Sequence, residues 1–65
     1  MSNYLREIRQ TRMISITELA RKSGVAELTI ARIEKGADCR KETKRKILKA
    51  LGLSPRDKEK VFPET

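Results

Sequence analysis

Apolar residues, joined by Ser23 and Thr43, recur along this chain in short sets at helical spacing. Leu5 and Ile8, behind Tyr4, form the first; Leu19, Ala20 and Ser23 the second; Ile30 and Ile33 the third; Thr43, Ile47, Ala50 and Leu51 the fourth. Such spacing traces one face of an α-helix. It predicts a helix from a cap at Ser2 or Asn3 to about Arg12, ended by Met13 and an inward-facing Ile14. A second helix runs from Ile16 to about Lys22, a third from Glu27 to Lys35 and a fourth from Lys41 to Leu51. Ser54-Pro55-Arg56-Asp57 opens a fifth, short helix to about Lys60, since Pro suits a first turn and an acid suits its dipole. The expected fold is all-α, a compact bundle of four to five short helices over residues 1–65, with Leu5, Ile8, Leu19, Ile30, Ile33, Ile47 and Leu51 in one core.

The stretch Ser15 to Gly36 organises the rest. Ser15 and Glu18 have the spacing of a capping box, in which each side chain satisfies the other's backbone N–H. Ala20 is small enough for two helices to touch at a steep angle. Gly24 tolerates the positive φ that a tight corner needs. Ile30 and Ile33 then lock the second helix of the pair onto the first. This is the physical recipe of a helix-turn-helix, although any αα-corner in a small helical protein shares it.

Composition narrows the chemistry. The 65 residues carry 16 Lys and Arg against 9 Asp and Glu, a formal charge of +7 with no histidine and one cysteine. A field that positive favours a polyanion. Without histidine there is no easy general base near neutral pH. No phosphate-cradling glycine loop is present, and Asp38 and Asp57 have no catalytic spacing. These features argue against an enzyme, a cofactor or a small-molecule substrate. A lone thiol holds no metal and closes no intrachain disulfide, so Cys39 reads as a small, semi-buried hydrophobe. No apolar run approaches the roughly 20 residues that span a bilayer, and no hydrophobic leader opens the chain, so a cytoplasmic location without membrane contact is expected.

Ser15 to Gly36 also resembles the helix-turn-helix of the lambda-repressor-like, Cro-type DNA-binding family. The likeness lies in ELA at Glu18 to Ala20, in Gly24-Val25, and in ARIEKG at Ala31 to Gly36. It extends to LREIRQTR at Leu5 to Arg12, similar to the family's first helix, and ILKALGL at Ile47 to Leu53, similar to the end of its fourth. The chain departs from the family where Ile16 replaces a common Gln, where Ala26 replaces a common Ser or Thr, and near Cys39, where Pro is common. The first departure removes a phosphate-contacting side chain but leaves the main-chain donors at that helix start, a ready anion site. The resemblance further implies that Arg9 pairs with Glu34 as a partly buried, bidentate ion pair.

In that geometry the third helix is the recognition helix, and its first, second and sixth positions face the major groove. Those are Glu27, Leu28 and Arg32. Glu27 has a bland alternative in the positive helix start, Leu28 in the core and Arg32 in solvent. Against these stand contacts to bases: a thymine methyl for Leu28 and guanine for Arg32. Ile16 through its backbone, Thr29, Lys35, Arg40, Lys41 and Lys44 are the candidate phosphate contacts. The bases crowding the fourth helix start oppose its dipole, which suits a phosphate-contacting shelf better than a merely solvated face. The implied function is sequence-specific binding of double-stranded DNA by a small bacterial or phage transcriptional regulator of repressor type. A protein-binding module such as the antitoxin of a toxin–antitoxin pair, and a charge-only nucleic-acid binder, are the alternatives. A homodimer is expected, formed in solution or only on DNA. Val61 and Phe62 either fold back on the core or, with Leu53, supply the dimer contact.

Overall fold

A computed structural model describes residues 3–63. The chain forms α1 (Leu5–Thr11), α2 (Ile16–Ser23), α3 (Glu27–Glu34), α4 (Lys41–Ala50), a 3-10 turn (Pro55–Asp57) and α5 (Lys58–Val61). There is no strand among the described residues. Every expected core residue except Ile8 is buried; Ile8 sits half-buried at the edge. Val25, Leu48, Val61 and Phe62 complete the core. α4 packs against both α2 and the C-terminal turn, which is why Ile47 and the adjacent Leu48 are both buried.

Of the two expectations for Val61 and Phe62, folding back on the core holds and the dimer surface is corrected. Val61 is fully buried and Phe62 is 5% exposed. The Val61 carbonyl accepts the Tyr4 N–H at 2.8 Å, and the Phe62 ring lies under the Lys44 ammonium at 5.7 Å. A small domain has too few apolar residues to leave two of them outside. Leu53 is partly buried against the same core. Cys39 is half-buried there too, and burial pushes its thiol up against the pull of the Lys44 charge.

Three helices end alike. After α1, the Met13 N–H donates to the Gln10 carbonyl at 2.9 Å and the Ile14 N–H to the Arg9 carbonyl at 3.1 Å. Gly36 and Ala37 repeat this pair of bonds after α3, as do Gly52 and Leu53 after α4. This Schellman arrangement needs a left-handed residue at its corner. Gly36 and Gly52 supply it freely, whereas Met13 adopts φ 57° with a Cβ and is 90% exposed. Replacing Met13 by Gly is therefore expected to raise stability by about 0.5–1 kcal/mol, the relief of the Cβ clash outweighing the extra freedom of the unfolded chain. Urea titration followed by circular dichroism measures it; a lower midpoint than the parent contradicts the strained corner.

Candidate nucleic-acid interface

α2 begins at Ser15, whose Oγ accepts the Glu18 N–H at 3.0 Å. The capping box is only half made. The Glu18 carboxylate turns to Lys22 at 3.3 Å instead of returning to the Ser15 N–H. The helix start thus keeps outward backbone donors. The Ile16 side chain turns in against the core, which leaves its backbone N–H as the group able to meet a phosphate.

The corner between α2 and α3 is held from inside. Gly24 has φ 73° and donates its N–H to the Ala20 carbonyl at 2.8 Å. A Cβ placed on Gly24 meets nothing within 4 Å, so the demand there is purely for the left-handed backbone. Beside it Ser23, buried, donates its hydroxyl to the Leu19 carbonyl at 2.7 Å and accepts the Val25 N–H at 3.2 Å.

α3 turns Ile30 and Ile33 wholly into the core. Its opposite side carries Glu27, Leu28, Arg32 and, just past the helix, Lys35, all exposed. At 3.6 residues per turn these residues span roughly 140° of the helix surface. Leu28 is 62% exposed, which removes it from the core. Thr29 is partly buried at the edge of that face. α3 starts at Ala26 without a side-chain cap, and Glu27 supplies the acid that its dipole favours.

The back of α3 is tied to α1 at its far end. Arg9 grips Glu34 with two hydrogen bonds, Nε to Oε2 at 2.6 Å and Nη2 to Oε1 at 3.2 Å. Its Nη1 also donates to the Ile14 carbonyl at 2.8 Å. The bidentate pair inferred from resemblance is thus present. Asn3 adds a second tie: its Oδ1 accepts the Leu5 N–H at 3.1 Å while its Nδ2 donates to the Ile33 carbonyl at 2.7 Å. Sequence reasoning saw Asn3 only as a helix cap. Its other bond reaches thirty residues along the chain, and no local signal marks it. Ser2, the other candidate cap, lies outside the described residues.

The basic shelf is less uniform than its sequence. Arg40 and Lys41, at the start of α4, are exposed. Lys44 is turned into the fold, 3.8 Å from Asp38 and over the Phe62 ring, with its side chain 18% exposed. The same burial of Phe62 that removed the dimer surface gives Lys44 this seat.

Most of the chain, the pair of α2 and α3 included, matches a known family. The family model for the Cro/C1-type helix-turn-helix covers residues 5–58. The chain belongs to the Cro/C1-type helix-turn-helix family. No curated protein and no solved structure gives a significant match. The family binds DNA and is typically non-enzymatic. α2 and α3 are its two motif helices here, and Arg9, Asn3 and Glu34 fix the second of them without standing on its outer face. Among the described residues no helix is long and apolar enough to cross a membrane. No cluster of metal-ligating side chains occurs among them either.

Proposed function

We propose that this chain is a sequence-specific transcriptional regulator of bacterial or phage type that sets α3 in the major groove of double-stranded DNA. Glu27, Leu28 and Arg32 meet base edges. The Ile16 backbone N–H, Thr29, Lys35, Arg40 and Lys41 meet phosphates, and Lys44, held by Asp38, adds to the field behind them. The observation that carries this reading is the outward face of α3, where an acid and an exposed leucine stand beside Arg32. A charge-only binder gains nothing from either. A reader gains an acceptor for the cytosine amino group and an apolar contact for a thymine methyl.

The test separates reading from holding. Arg32→Ala is expected to cost about 1–3 kcal/mol on the preferred site and to relax preference at one base pair. Lys35→Ala is expected to weaken preferred and random DNA about equally and to lower the salt slope by about one unit. Titrations of both variants on both duplexes at several salt concentrations measure this. Equal losses on every DNA remove α3 from the role of reader.

The size of one copy limits how much of a duplex it can reach. The Cα extents are 28 × 22 × 21 Å, shorter than the roughly 34 Å between successive major grooves on one side of a duplex. We infer dimeric binding with half-sites about one helical turn apart, and the contact lies outside Val61 and Phe62. Footprinting is expected to show two protected half-sites; a single half-site at unit stoichiometry rules the dimer out.

A further inference from the structure

Between α4 and the C-terminal turn lies a groove of about 340 Å³, half open to solvent and lined by Lys41, Lys44, Arg45, Leu48, Pro55 and Lys58. Its lining holds four cations and no acid. Its accessible apolar lining is the exposed Pro55, since Leu48 is only 2% exposed. α3 contributes nothing to it. Among the described residues none of Lys41, Arg45 and Lys58 has an acidic partner. Lys44 is already placed by Asp38 and the Phe62 ring, so one cation is held in position before any ligand arrives, which lowers the entropy cost of binding.

We propose that this groove docks an acidic peptide segment of a partner protein, one that sets an apolar side chain between carboxylates. The alternatives fit less well. A duplex backbone brings phosphates but no apolar group for the exposed Pro55. A free small molecule is usually enclosed on most sides, and this groove is half open to solvent. Residues 41, 44, 45 and 48 share one face of α4 over roughly 10 Å. That length matches about three residues of extended chain, enough for an apolar residue with an acid on each side. Charge complementarity sets the sign of the partner, and Pro55 sets its anchor. This surface shares Lys41 and Lys44 with the proposed phosphate-facing side, but Arg45, Pro55 and Lys58 lie outside it, and α3 takes no part.

The probe is a short fluorescent peptide with one Leu flanked by Glu on both sides, titrated into the full chain by anisotropy. Replacing the Glu residues by Gln, or the Leu by Gly, is expected to weaken binding. Lys58→Glu is expected to weaken the parent peptide about tenfold. Arg6→Glu changes the net charge equally but lies on α1, outside the groove, and is expected to change binding by less than about twofold. Both sites are exposed, so both variants keep the fold, which a thermal melt checks. Amide shifts on peptide addition are expected at residues 41, 45, 48 and 58. Equal effects of the two charge reversals, indifference to the Leu-to-Gly change, or shifts centred on α3 overturn the proposal.

Discussion

Replacing Ile30 by Ala is expected to cost about 2–5 kcal/mol. A domain of this length has a total stability of only about 3–10 kcal/mol, at the usual 0.05–0.15 kcal/mol per residue. Ile30 is fully buried on the inner face of α3, with Leu19 of α2 and Ile33 in the same core. Truncation there leaves a cavity lined by branched side chains on short helices, whose ends are fixed by the Gly24 corner and the Arg9–Glu34 pair and so relax little. No disulfide offsets the loss, since the single cysteine is free. The melting temperature should fall by about 8 °C or more, at about 4–8 °C per kcal/mol for a domain this small. Leu28→Ala is the control on the same helix. Leu28 is 62% exposed, and its loss should cost no more than about 0.5 kcal/mol. Circular dichroism melts of the two variants decide the matter: similar curves mean that the two faces of α3 have been exchanged.

The contrast between Ile30 and Leu28 was legible in the sequence because α3 is short and amphipathic. Ile30 and Ile33 lie three apart, Leu28 lies off their face, and a helix with a single core side exposes the rest. The same logic located α1, α2 and α4 to within a residue or two. It failed where an element has two packed sides or none. Leu48 follows Ile47 directly and breaks the spacing, yet α4 needs both, because it meets α2 on one side and the C-terminal turn on the other. Val61 and Phe62 are adjacent, and adjacency carries no periodicity. Their burial is set by how the last turn docks, through the Tyr4–Val61 hydrogen bond and the bonds of the Ser54 N–H and hydroxyl to Asp57, both at 3.1 Å. Met13 hid its left-handed corner because the usual glycine signal is missing there. On the outer face, spacing placed Leu28, Arg32 and Lys35 away from the core, and the resemblance added Glu27; all four are exposed. Spacing could not show that Lys44 belongs to Asp38 and Phe62, since that depends on where the chain end returns.

Arg9→Ala is expected to destabilise the fold by about 3 kcal/mol or more, the usual cost of stranding one partner of a buried pair. The side chains of Arg9 and Glu34 are only 11% and 7% exposed. Water therefore replaces little of what is lost. Three hydrogen bonds vanish together, two to the Glu34 carboxylate and one to the Ile14 carbonyl. The carboxylate then remains in a poorly hydrated place without its counter-charge. Arg6→Ala removes the same residue type one turn earlier from an exposed position, and should stay within about 0.5 kcal/mol of the parent. Replacing both members of the pair, Arg9→Met with Glu34→Leu, should recover much of the loss, because apolar side chains of similar volume need no partner. The recovery falls short by the bond to Ile14, which methionine cannot make. Binding offers a second readout. Glu34 is the last residue of α3, so freeing it loosens the end of the helix that carries Arg32. Arg9→Ala should therefore lose more affinity on the preferred duplex than on random DNA, measured at a temperature where the variant is still folded. Equal melting temperatures for Arg9→Ala and Arg6→Ala show that the pair does not hold α1 to α3. A normal melt difference with unchanged specificity shows that it holds the fold without aiming the helix.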